Sequence, residues 1–209
     1  MKYYVRTTGD RVFDYDLDYE TLVDTERKPI KSFIEQLRYI SDNDAVLLED
    51  DLILCKDFQN RIEEVIKQYP NSIINFFEDP FRFYLTETRS GIKYRHNQCT
   101  YYPKGIAKQI ADKMEEIWSK YPKEKQYDFL QSYAMDELKM NYISYRPCLV
   151  QHKHMESIIN PELGVRSTMY FIDYIDELGI DYKDVLVWKN NIALQQIKHK
   201  HLPLWKKQF

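Results

Sequence analysis

The chain has 209 residues, 44% of them apolar, and a formal net charge of -3. These values suggest one domain with a sizeable core and offer no whole-chain argument for nucleic-acid binding. The three cysteines, Cys55, Cys99 and Cys148, have no C-x-x-C spacing, which points to a reducing compartment and away from a disulfide framework.

No apolar run approaches the ~18 residues of a membrane span. The opening Met1-Lys2-Tyr3-Tyr4-Val5-Arg6 has no signal-peptide core. The expectation is a cytoplasmic protein without a membrane span. Glycine is scarce, at 5 residues, and neither G-x-G-x-x-G nor a P-loop is present. Any bound phosphates must therefore be held by metal and basic side chains.

In chain order, Lys2 to Thr8 reads as a first strand, ended by a turn at Gly9-Asp10. From Val12 to Val23 acids mostly alternate with bulky apolar residues, which reads as a solvated strand or loop, with a metal-binding loop as the alternative. Asp24 or Thr25 can cap a helix with Pro29 in its first turn, and Ile30, Phe33, Ile34, Leu37 and Ile40 keep helical spacing.

Next comes Ala45-Val46-Leu47-Leu48-Glu49-Asp50-Asp51. A continuous apolar run is the pattern of a buried parallel strand, and carboxylates cannot sit in a core unpaired. Ligands in open α/β sheets bind beyond the carboxyl ends of strands, and hard divalent cations take oxygen ligands. The stretch reads as a strand ending in a metal and phosphate site, or as an acidic surface turn.

Asp57 can cap a second helix carrying Phe58, Ile62, Val65, Ile66 and Tyr69, and Ser72 to Phe77 is another apolar strand. This alternation predicts an α/β sheet with parallel pairs and crossover helices. Arg82–Leu85 and Ile92–Arg95 around Arg89-Ser90-Gly91 predict a hairpin, and Gln98–Tyr102 a further strand. Pro103 opens a helix with Ile106, Ile110, Met114 and Ile117 inward. Tyr127–Leu138 is a helix with Phe129, Leu130, Tyr133 and Ala134 as its core face. Asn141–Tyr145 is a short strand, and Arg146 to His152 leaves the sheet as a loop. Met169 to Leu178 and Val185 to Ile197 suggest helices, followed by a basic, aromatic end.

Three segments carry a resemblance by their order. They are Leu48-Glu49-Asp50-Asp51, then Thr100-Tyr101-Tyr102-Pro103-Lys104-Gly105-Ile106-Ala107, then Tyr127-Asp128-Phe129-Leu130 with Pro147-Cys148-Leu149-Val150-Gln151-His152. This set resembles the nucleotide-sugar glycosyltransferases of the GT-A fold, most of all the lipopolysaccharide-type enzymes of family 25 and their small relatives. The Ser-His pair usual before the first crossover helix in family 25 is missing.

The resemblance implies a GT-A-like (Rossmann-like) mixed, mostly parallel sheet flanked by helices over residues 1–157, and the apolar spacing beyond it predicts a helical C-terminal extension over 158–209. It also implies transfer from a nucleoside diphosphate sugar, a UDP-sugar first of all, with Mn2+ or Mg2+. It implies a glycan acceptor, and the small size and basic, aromatic end leave open a hydroxylated base in DNA, as in phage-type enzymes.

On that resemblance Asp51 is the metal ligand, with His152 as the distal one and His154 as its alternative. A carboxylate–imidazole set suits manganese better than magnesium. Strand parity puts Glu49 and Asp51 on one face and Asp50 on the other. Asp128 is the candidate general base for the acceptor hydroxyl, with a helix-dipole role as the alternative. Arg6 and Thr7 at the end of the first strand, Arg27 and Lys31 at the first crossover helix, and Glu49 and Asp50 are the donor-binding candidates. The other classes considered are a different nucleotide-dependent transferase, such as a nucleotidyltransferase, and a non-catalytic binding protein on a degenerate transferase fold.

Overall fold

The computed structural model describes residues 1–77, 87–90, 97–122, 126–153, 168 and 171–177. Seven strands form one sheet: β1 (Lys2–Thr7), β2 (Tyr19–Val23), β3 (Ala45–Glu49), β5 (Ile73–Asn75), β6 (Glu87–Ser90), β7 (Cys99–Tyr102) and β8 (Asn141–Ser144). Their order across the sheet is β2-β1-β3-β7-β5-β8-β6. Strands β1, β2 and β3 pair in parallel, as do β5 and β8, while β7 and β6 run against their neighbours. The predicted mostly parallel α/β sheet is present. Between β3 and β5, however, it inserts the antiparallel β7 where the alternation predicted parallel pairing.

Period-two alternation along β1 and β3 sends side chains to two separate cores. Tyr3, Val5, Val46 and Leu48 pack with Phe58, Ile62 and Val65 of α2 (Phe58–Gln68). Tyr4, Ala45 and Leu47 pack on the other face with α1 (Pro29–Ile40), α3 (Ile106–Lys120) and α4 (Tyr127–Glu137). Helices therefore cover both faces. The expected α1 spacing holds, with Ile30, Phe33, Ile34, Leu37 and Ile40 all buried. Pro29 stands in the first turn, where its missing N–H costs nothing. Neither Asp24 nor Thr25 caps α1: Lys28 is the residue at its N-cap, with no side-chain cap bond, and the Asp24 carboxylate accepts the Lys28 N–H at 3.2 Å just ahead of the helix.

Several local expectations are corrected. Asp57 precedes α2 in the left-handed region, φ 55°, and its carboxylate accepts the Asn60 amide instead of a helix N–H. Phe129 is half-buried and Tyr133 is 43% exposed. The α4 core is instead Leu130, Gln131, Ser132, Ala134 and Met135, because the helix is buried around more of its circumference than an apolar stripe implies. Arg89 and Ser90 are strand residues paired with Tyr142 and Asn141, not a turn. The flanks of that predicted hairpin lie outside the described residues.

The segment read as a loop from Arg146 to His152 ends in a strand. β9 (Val150–His152) pairs antiparallel with β4 (Leu52–Leu54) in a separate two-stranded sheet. Of the C-terminal region the structure describes α5 (Ile172–Glu177), where Ile172 joins the core beside α2 and its N–H donates to the Cys148 carbonyl at 3.0 Å. Among the described residues no helix is long and apolar enough to cross a membrane. Val185–Ile197 and the basic end lie outside them.

Candidate metal centre

The site is built where β1 and β3 end side by side, in the register Arg6↔Glu49. β3 stops at Glu49, and Asp50-Asp51 turn the chain into β4. Four hydrogen bonds fix this turn. The buried Tyr15 hydroxyl donates to the Glu49 carbonyl at 2.8 Å and accepts the Leu52 N–H at 3.0 Å. The Glu49 N–H donates to the Gln98 carbonyl at 2.9 Å, and the Lys153 N–H to the Asp51 carbonyl at 2.7 Å. Burial pushes the Tyr15 phenol well up, which keeps it protonated as a donor.

β9 carries the imidazole. Its pairing sets Leu52 opposite His152, so His152 Nε2 lies 3.3 Å from Asp51 Oδ2. Nδ1 of the same ring is 2.8 Å from the Lys153 carbonyl. A carbonyl only accepts, so Nδ1 carries the proton and Nε2 is left to face the acids. A backbone carbonyl behind the far ring nitrogen is the usual support of a metal-binding histidine.

Glu49, Asp51 and His152 form a group whose ligand atoms all lie within 4.8 Å of one another. Bonds of about 2.1 Å span at most about 4.2 Å across an ion, so the widest pair would close by roughly half an ångström. Two further observations fit a cation. Asp51 Oδ1 is buried with no hydrogen-bond partner. Burial, and then the neighbouring Glu49 charge, push the Asp51 carboxyl above the usual carboxylate range, against the pull of His152 and Arg11. The arrangement concentrates negative charge that nearby cations only partly offset.

The structure separates the remaining candidates. Arg6 is buried, its guanidinium 4.8 Å from the ring centroid of Phe33 and 4.3 Å from that of Tyr127, and 4.0 Å from Glu49. It braces Glu49 from behind. Tyr127 donates to Glu49 Oε1 at 2.7 Å. The Thr7 hydroxyl donates to Asp50 Oδ2 and accepts the Gly9 N–H at 2.9 Å. Gly9 takes φ 82°, a conformation costly for other residues, and turns the chain as it leaves β1. Asp50 is thereby held by Thr7 outside the three-residue group, but strand parity does not set its direction, because β3 ends at Glu49 and Arg11 reaches both Asp50 and Asp51.

Asp128 stands in the first turn of α4, half-buried, and accepts the Phe129 N–H at 3.0 Å. It is outside the three-residue group. Arg27 and Lys31 are not brought to the acids. Arg27 pairs with Asp10 at 2.7 Å, and Lys31 with Glu26 at 3.2 Å and Glu35 at 3.8 Å, all at exposed positions. His154 lies outside the described residues.

Sequence reasoning missed three contributors: Tyr15, Tyr127 and Arg11. Arg11 Nη1 is 3.0 Å from Asp50 Oδ1 and also contacts Asp51 Oδ2. The alternation Phe13, Tyr15, Leu17, Tyr19 carried a signal for Tyr15, since all four pack together at the edge of one core. No local pattern marked Arg11. No protein-family model matches the chain, and no curated protein matches it.

Proposed function

We propose that the chain is a metal-dependent glycosyltransferase on a GT-A-type sheet, moving a sugar from a nucleoside diphosphate sugar, a UDP-sugar first of all, to a hydroxyl acceptor. The observation that carries this reading is the convergence of Glu49, Asp51 and His152, within 4.8 Å, beyond the carboxyl end of β3. Asp51 and His152 would hold the metal, manganese before magnesium, with Glu49 completing the set. A divalent cation there supplies Lewis-acid stabilisation of the charge that builds on a leaving diphosphate.

In this reading Tyr127 and Arg6 fix the rotamer of Glu49, and the Tyr15 hydrogen bonds fix the turn that carries Asp51. Asp128, next to Tyr127 at the start of α4, takes the proton of the attacking hydroxyl. Arg6 acts through Glu49 instead of touching phosphate.

The acceptor is a glycan or a hydroxylated base in DNA, and the lysines and Trp205 of residues 198–209 suit the second by their charge and stacking chemistry.

The experiment is a donor screen with manganese, reading nucleoside diphosphate release across sugar nucleotides. Release from one sugar nucleotide, dependent on Asp51, supports the reading. No release from any, with or without acceptor, overturns it. Titration of oligonucleotides at two salt concentrations then separates the acceptors, since DNA binding through lysines weakens steeply with salt.

A further inference from the structure

Arg11 is the member of the cluster that the proposed function leaves without a role. It stands on the irregular segment after β1, beside the fully exposed Val12, yet its own side chain is only 10% exposed. One nitrogen, Nη1, serves both acids of the turn, at 3.0 Å from Asp50 Oδ1 and in contact with Asp51 Oδ2. That same Asp51 oxygen is the one 3.3 Å from His152 Nε2. The Asp51 oxygen nearest the imidazole therefore already faces a permanent cation, while Oδ1 of the same carboxylate has no hydrogen-bond partner.

A guanidinium cannot shed its charge by losing a proton. A divalent ion bonded to Asp51 Oδ2 would sit within a few ångströms of Nη1, where two positive charges repel strongly in a partly desolvated site. Metal and Arg11 therefore compete for Asp51. A guanidinium displaced from carboxylates finds its best alternative partner in a phosphate, which matches its fork of donors bidentately.

We propose, resting on the metal-dependent transferase reading above, that Arg11 is the internal counter-cation of the acids, that a metal ion displaces it, and that it then binds the donor's diphosphate. Arg11 thus makes metal and diphosphate binding mutually reinforcing. Metal alone must displace the guanidinium at a cost, and a diphosphate recovers that cost by giving it a new anion. The carboxylates stay neutralised in both states.

The test is manganese(II) binding, read by electron paramagnetic resonance, to the wild type, Arg11→Met and Arg11→Lys, without nucleotide and then with uridine diphosphate. Without nucleotide, Arg11→Met should bind manganese at least about tenfold more tightly than the wild type, the scale of removing one close competing charge. Arg11→Lys should lie between them. Uridine diphosphate should tighten manganese binding to the wild type several-fold more than to Arg11→Met.

Thermal unfolding gives an independent readout. The midpoint of Arg11→Met should fall without manganese, since two buried acids lose their counter-charge, and return towards the wild type at saturating manganese. Equal or weaker manganese binding by both variants, beside normal binding by the wild type, overturns the proposal and leaves the metal centre standing. Failure of manganese to raise the midpoint of Arg11→Met does the same. No manganese binding by the wild type or either variant overturns the metal reading and this proposal together.

Discussion

The Tyr127 hydroxyl donates to Oε1 of Glu49 at 2.7 Å, and this bond joins the start of α4 to the end of β3. Burial drives the phenol well up, and the Glu49 charge adds to the shift, so the group stays a donor at any physiological pH. Tyr127→Phe keeps the ring over Arg6 and removes only the hydroxyl. Manganese affinity should fall about tenfold, at the lower end of the cost of losing a group behind a metal ligand. Stability should fall by about 1 kcal/mol, the scale of one hydrogen bond. Calorimetry and urea unfolding measure the two, and an unchanged metal affinity would detach Tyr127 from the site.

Asp51→Asn tests the ligand itself. Burial and the Glu49 charge already disfavour the ionised form of Asp51, so a neutral isostere should leave the fold intact. Manganese binding should disappear while the circular dichroism spectrum and thermal midpoint stay close to those of the wild type. Full manganese affinity in the variant would remove Asp51 from the ligand set.

Asp128→Asn separates binding from transfer. The side chain accepts the Phe129 N–H at 3.0 Å, a bond that an asparagine oxygen can also accept. Donor binding should therefore persist, and transfer to the acceptor should slow by about 10²-fold or more, the usual scale for a general base. Undiminished turnover would leave Asp128 with only its helix-start role.

Alkaline stability gives a test independent of the site. Burial above all, and then the Asp44 carboxylate, push the Tyr101 phenol up to about 12. An unfolded tyrosine ionises near ~10. The folded state therefore holds its proton more tightly than the unfolded state. That contribution is complete below about pH 10 and is lost as pH rises from there through about 12. Tyr101→Phe should flatten the decline of urea midpoints over this window. An equally steep decline in the variant would show that other tyrosines carry it.

The sheet and its helices were largely legible because their signals are local. The run Ala45 to Leu48 marked a fully buried strand, and the spacing from Ile30 to Ile40 marked α1, with no knowledge of neighbours. The acids were legible as well, since Glu49, Asp50 and Asp51 end a core strand and must be satisfied there. What the chain conceals is pairing at a distance. That β7 slots antiparallel between β3 and β5, or that Val150–His152 pairs with Leu52–Leu54, depends on segments far apart in sequence. Tyr15 was misread because its acidic neighbours suggested solvent, while its own alternation with Phe13, Leu17 and Tyr19 belonged to a packed face. Arg11 was invisible because a charged residue in a turn looks the same whether it meets water or carboxylates. Phe129 and Tyr133 misled because α4 buries the polar Gln131 and Ser132 in their stead.

The ribbon of β4 and β9 has a consequence for how the protein is made. Every described strand of the large sheet lies before Tyr145, since β8 ends at Ser144. A nascent chain that has reached that point holds all the described strands of that layer. It already carries the acids of the turn, whereas His152 has yet to be added. Only when Val150–His152 emerges and zips onto Leu52–Leu54 does His152 arrive opposite Leu52. The three-residue group is thus complete only once the chain has been synthesised through β9, after every described strand of the large sheet and before α5, whose Ile172 then bonds back to Cys148.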